Sequence, residues 1–178
     1  MRQRILEAGI RVLQTEGPLG FTTTRVAAEA SISVGSLYQY FPNKQALVVA
    51  IHEQLVVSGL EHAMSILGDE SLGRRDKLFA IVRWFFEAEA KEARDLGRIV
   101  GDIEVFLHHH TGERNELEAA ARQAFTETLG LNPLEAAYAV AVIRSVGKAA
   151  ASERLAELVL RDWADRTSTI LADHFRLV

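Results

Sequence analysis

The stretch TTTRVAAEASISVGSLYQYFPNKQAL, residues 22–47, holds two short helical patterns separated by a tight break. Residues 23–30 put Val26, Ala27 and Ala30 on one face. Ser31, Ile32 and Ser33 interrupt the pattern. Residues 34–40 resume it, with Leu37 and Phe41 one turn apart on the side expected to be buried. Two short helices joined by a turn of three or four residues make a helix-turn-helix, whose second helix lies in the DNA major groove.

The residue chemistry around the break fits that arrangement. Ser33 is placed to cap the second helix, because its hydroxyl can accept from a free first-turn N–H. Val34, Gly35 and Ser36 follow, all small or short, so this helix end can come close to bases and phosphates. Tyr38 and Tyr40 are two residues apart and cannot share a helix face, yet each can offer a hydroxyl to a phosphate at the groove rim. Pro42 stops the helix, since proline disfavours helical geometry in the residue before it. Asn43 can cap the next helix and Lys44 stands in its first turn. The helix dipole disfavours a cation there, so Lys44 makes sense if a DNA phosphate completes the site. Thr22, Thr23 and Thr24 stand likewise at the start of the earlier helix, as cap and phosphate donors. The competing possibility is a small helical subdomain whose tyrosines merely pack.

Thr22, Thr23, Val26, Ala27, Ser33, Gly35, Ser36, Leu37, Tyr38, Tyr40, Phe41, Lys44 and Leu47 together form a pattern that resembles the tetracycline-repressor (TetR) family of bacterial transcriptional regulators. The resemblance is specific over about residues 4–50; beyond them it rests on length and helical character. It implies that Thr23, Thr24, Val34, Gly35, Ser36, Tyr38, Tyr40 and Lys44 face DNA, and Arg25 joins them as the basic side chain of the first short helix. Three positions depart from the pattern. Ser31 stands where the turn usually has glycine, so it must bear strain or let the turn adjust. Val34 replaces a frequent polar or basic residue, and Thr24 an arginine of some members. With few long side chains to read bases, direct readout would lean on thymine methyl contacts and short hydroxyls.

Outward from this stretch, residues 1–16 read as a first helix with Ile5, Ala8, Gly9, Val12 and Leu13 as its apolar stripe. It should lie over the two short helices. Gly9 costs helix stability unless a close crossing uses its missing side chain. Gly17, Pro18, Leu19 and Gly20 end the helix. A basic arm ahead of it, which some relatives direct into the minor groove, is expected to be absent or very short. Residues 43–67 read as one long helix linking the head to the rest. Segments at 75–93, 95–109, 111–129, 132–150 and 153–175 complete an all-α chain of about nine helices, with Asn132, Pro133 and Glu135 as a capping-box start. Ser152 is expected to cap the last. The expected division is a three-helix DNA-binding head, 1–46, and a larger effector-binding and dimerisation bundle, 47–178.

Charge divides the same way. The chain carries a net −4, but residues 1–50 hold five basic and three acidic side chains, a net +2, which leaves −6 for the remainder. A basic head and acidic bulk suit a DNA-binding protein. The 178 residues contain no cysteine, which excludes disulfides and thiolate chemistry. No run is long and apolar enough for a membrane span and no signal-peptide core is present, so a cytoplasmic location is expected.

The segments at 132–150 and 153–175 are rich in apolar residues. A helix apolar nearly all round is buried on more than one side. Tyr138, Val142, Val146, Leu155, Val159 and Trp163 are the candidate dimer contacts; the family resemblance implies a four-helix bundle made by the last two helices of two copies. A homodimer would read a palindromic operator in double-stranded DNA. Trp84, Phe85, Phe106 and Phe125 are candidate lining residues for a small-molecule effector of unknown identity, against the alternative that they fill the core. His108, His109 and His110 are adjacent on a helical pattern and cannot converge on one ion; a metal site would need partners elsewhere, such as Glu104 or Glu113, against the alternative of a polar helix end, and no metal is expected. No cofactor is expected either. No catalytic constellation is present. The expected function is a ligand-responsive DNA-binding regulator, most often a repressor in the family; the alternative is an all-helical scaffold that binds no DNA.

Overall fold

The computed structural model describes residues 1–95, 112–153 and 155–177. Eight helices run through them: α1 (Arg2–Gly20), α2 (Thr23–Glu29), α3 (Val34–Tyr40), α4 (Lys44–Gly68), α5 (Arg74–Asp95), α6 (Gly112–Leu129), α7 (Pro133–Ser152) and α8 (Glu157–His174). No strand occurs among the described residues. Apart from Asp95, which ends α5, the helix expected at 95–109 lies outside the described residues, as do Phe106 and His108, His109 and His110. The helices group into two compact units. The first holds Met1–Val57, with Arg94 and Arg114 among its other described residues; the second holds Ser58–Ala93 and the described residues from Asn115 onward.

In the first unit, α1 buries Ile5, Leu6, Ala8, Gly9, Val12 and Leu13. They meet Phe21, Val26, Ala27, Ala30, Leu37 and Phe41, and Leu47, Val48 and Ile51 of α4 close the core. Gly9 is the crossing point: a Cβ there would stand 2.5 Å from Cδ1 of Ile51, so the missing side chain is what lets α4 lie this close. The break inside α1 is at Gly17, whose φ of +66° suits glycine; Pro18, Leu19 and Gly20 then add one more helical turn. Two ion pairs, Arg11 to Glu29 and Arg25 to Glu16, clip α1 to α2.

Three helices end on the same device. Ser31, Gly130 and Arg176 each take positive φ just beyond a helix. The N–H of the following residue then reaches back five residues: Ile32 to the Ala27 carbonyl, Leu131 to Thr126 and Leu177 to Ala172. This is the Schellman arrangement, which satisfies carbonyls left over at a helix end. Ser31 therefore carries the left-handed conformation itself, at φ +53°.

The second unit packs around Leu78, Val82, Phe86, Phe125, Leu129, Ala139, Ile143, Ala164 and Leu171. Phe85 and Phe86 press against Gly147 of α7, where a Cβ would lie 2.9 Å from Phe85 Cε1. Helices α5 and α8 are held antiparallel by ion pairs Arg75–Asp173, Arg83–Asp165 and Arg161–Glu87. Each step of eight and then four residues up α5 is the same step down α8, so the three pairs report one register. All are exposed, so each adds at most about 1 kcal/mol and fixes alignment more than stability.

Helix α7 starts as its sequence dictates, with Asn132 Oδ1 accepting from Leu134 and Glu135 N–H and the Glu135 carboxylate accepting from Asn132 N–H. The expected start of the last helix is corrected. Ser152 is the final residue of α7, and its hydroxyl donates back to the Ala149 carbonyl at 2.8 Å. Helix α8 begins at Glu157 behind Ala156, which offers no side-chain cap. Ser152 satisfies a leftover carbonyl of its own helix and is thus unavailable to start another.

Candidate nucleic-acid interface

The site is built by three helix starts. Thr22 caps α2, its Oγ1 accepting from Arg25 N–H at 3.2 Å. Ser33 caps α3, accepting from Ser36 N–H at 3.0 Å, with the Ser33 and Ser36 hydroxyls 2.8 Å apart. Asn43 caps α4, accepting from Ala46 N–H at 2.7 Å. Each cap leaves other first-turn N–H groups free to meet an anion. Leu37 and Phe41 bury the inner face of α3 against the head core, as their spacing predicts.

The candidate residues stand on all three helices. Thr24, Gly35, Tyr38 and Tyr40 are exposed, and Thr23, Val34, Ser36 and Lys44 are half-buried. The hydroxyls of Thr23 and Tyr38 lie 3.4 Å apart, joining the start of α2 to the middle of α3. Lys44 Nζ sits 5.5 Å from the centre of the Phe21 ring, and the Arg2 guanidinium 5.4 Å from that of Phe41. Such cation–π contacts hold the amphipathic stems while the charges remain at the surface.

Arg25 is the exception. Its Nε lies 3.0 Å from both carboxylate oxygens of Glu16, and Nη2 contacts Glu16 as well. Hydrogen bonding from Arg25 pulls the Glu16 carboxyl below the usual glutamate range. Arg25 is thus turned onto α1. The pair is nine residues apart across a turn, a spacing with no periodic signature in the sequence.

In the second unit, the candidate dimer residues divide. Tyr138 and Val159 are exposed, whereas Val142, Val146, Leu155 and Trp163 are partly buried and pack on the protomer's own core. The most exposed large apolar side chains of α7 and α8 are Leu134 at 82%, Leu158 at 80% and Ile170 at 66%. Tyr138 also packs on His174 and Phe175, at ring-centre distances of 5.8 and 6.5 Å. Of the aromatic residues proposed to line an effector site, Phe125 is buried in the core. Trp84 and Phe85 are half-buried; Trp84 lies against Gly59 and 5.3 Å from the His62 ring centre. No helix among the described residues is long and apolar enough to cross a membrane.

Residues 5–51 match the family model for bacterial regulatory proteins of the tetR family. The HTH-type transcriptional regulator BetI of Agrobacterium fabrum is 31% identical over 88 residues, 49% of this chain and 42% of that protein. The chain spans less than half the length of the first curated relatives it matches. A TetR transcriptional regulator of Streptomyces coelicolor superposes with a TM-score of 0.60 at 20% identity, over 100% of this chain and 99% of that one. The regulator FadR of Bacillus subtilis, solved with stearoyl-CoA, superposes with a TM-score of 0.57 at 16% identity, over 96% and 97%. The head, residues 5–51, therefore belongs to the tetR family of bacterial regulatory proteins, and the chain as a whole has the fold of that family's solved members.

Proposed function

We propose that this protein is a transcriptional regulator that binds a palindromic operator in double-stranded DNA as a homodimer and releases it in response to a small molecule. The observation that carries this reading is the outer face of α3. Its capped start and the Thr23–Tyr38 hydroxyl pair supply hydrogen-bonding groups, and Lys44 in the first turn of α4 supplies a cation in this reading. Thr23, Thr24, Tyr38, Tyr40 and Lys44 take phosphates in this reading, and Val34, Gly35 and Ser36 approach base edges. Arg25 supports Glu16 and α1 instead.

The exposed residues Leu134, Tyr138, Leu158, Val159 and Ile170 supply the face by which two copies associate. Large exposed apolar side chains concentrated on two adjacent helices mark an interaction surface. Two heads related by a two-fold axis then meet half-sites one DNA turn or a multiple apart. The effector reading is supported by the stearoyl-CoA held by the similar FadR. Trp84 and Phe85 are the half-buried aromatic side chains an entering apolar ligand would meet, with Phe125 deeper. An effector shifts the DNA-binding equilibrium only by its differential affinity for the two states.

The test is a fluorescence titration against a library of duplexes in low and moderate salt, with stoichiometry recorded. A palindromic duplex bound by two chains with steep salt dependence is the expected result. Absence of binding at low salt, with and without acyl-CoA candidates, would favour a helical scaffold.

A further inference from the structure

One ion pair differs from all others among the described residues. Arg114 Nη1 lies 3.1 Å from Glu53 Oε2, with the two side chains only 9% and 17% exposed. Every other described ion pair leaves both side chains at least 30% exposed. Burial makes such a pair expensive to desolvate, so apolar residues of similar volume would often serve stability as well. In some proteins such a pair is retained because it fixes one arrangement over its alternatives.

The position it fixes is informative. Glu53 follows, by two residues, the Ile51 that packs on Gly9 in the head core. Arg114 is the third residue of α6. Both residues belong to the first unit, and both helices continue beyond it, α4 from Ser58 and α6 from Asn115. Successive residues on a helix point about 100° apart, so a one-residue rotation of α4 would carry Glu53 away from Arg114 and Ile51 off Gly9 together.

We infer that the Glu53–Arg114 pair is a positioning device through which α6 sets the register of α4 in the head, and thereby regulates DNA affinity. This inference rests on the DNA-binding function proposed above. Neither residue touches DNA in this arrangement; each acts through Leu47, Val48 and Ile51 on the α1–α3 core that presents Tyr38, and on α4 itself, which begins at Lys44.

The test is a double-mutant cycle of Arg114→Met and Glu53→Gln, measured well below each variant's thermal midpoint. Duplex affinity, its salt slope, and amide hydrogen exchange in peptides covering residues 5–13 and 47–57 are recorded. Each single variant should bind the duplex at least about fivefold more weakly with an unchanged salt slope, because phosphate contacts are retained. The double variant should lose little more than either single one, and exchange in both peptides should rise. If Arg114→Met does not fold, Arg114→Lys and Glu53→Gln decide, since they change charge or geometry at nearly constant volume. Wild-type affinity and exchange in the folded variants would overturn the inference, as would full recovery by an apolar Glu53→Leu, Arg114→Met pair. If the wild-type protein binds no duplex, the function proposed above fails, and the exchange measurement alone decides whether α6 positions α4.

Discussion

The hydroxyls of Thr23 and Tyr38 stand 3.4 Å apart, one at the first residue of α2 and the other on the outer face of α3. They can bind one phosphate oxygen jointly, each otherwise steadied by its neighbour. Tyr38→Phe and Thr23→Ala should each weaken duplex binding about fivefold, the scale of one hydrogen bond. The double variant should lose less than the product, because the two share a ligand. Multiplicative losses in a titration series would separate the hydroxyls into independent contacts.

Lys44 and Arg25 should behave differently despite equal charge. Lys44→Ala removes a free cation beside the α4 start and should lower the salt slope by about one unit per head, similarly for all sequences. Arg25→Ala removes a charge already engaged by Glu16 and should leave the slope nearly unchanged. Comparing log affinity against log salt for the two variants checks this. Equal slopes in the two would mean that Arg25 leaves Glu16 for DNA.

Ser31 occupies the left-handed position that ends α2, at φ +53°, and its side chain is exposed. Ser31→Gly should stabilise the head by about 0.5–1 kcal/mol, since relief of the conformational cost exceeds glycine's added unfolded-state freedom. Ser31→Val should destabilise it. Urea unfolding of both variants provides the comparison, and a less stable glycine variant would contradict the expectation.

The Glu16–Arg25 pair makes the head sensitive to acid. Glu16 is held below its ordinary value by the hydrogen bond from Arg25. A carboxyl depressed by folding contributes stability above its unfolded pKa and loses it as pH falls through the folded one. Wild-type protein should therefore lose its advantage over Glu16→Gln as pH drops below the usual glutamate range. Thermal midpoints across pH test this, and parallel profiles for the two proteins would count against the pair.

On α7 and α8, exposure singles out Leu134 and Ile170 for the proposed dimer face. Ile170→Glu or Leu134→Glu should abolish dimer formation in sedimentation while leaving the protomer helical. Val142→Glu should instead unfold it, because Val142 packs against the protomer's own core. A dimer that survives both Ile170→Glu and Leu134→Glu would move the interface elsewhere.

The local sequence alone determined the head's elements. Serine, threonine and asparagine caps, the Gly17 break and the Leu37–Phe41 spacing act within a few residues, so their structure is written in adjacent letters. The capping box of α7 was legible for the same reason. The tertiary structure decided what depends on distant partners. Only packing shows that Gly9 makes room for Ile51, that Glu16 takes Arg25, and that Arg114 meets Glu53 across sixty-one residues. It also decided the start of α8, where Ser152 turned back to Ala149, and the exposure of Leu134, Leu158 and Ile170. An apolar helix looks alike in sequence whether its second face meets its own chain or another; the positions of neighbouring helices remove water from one face and leave the other exposed.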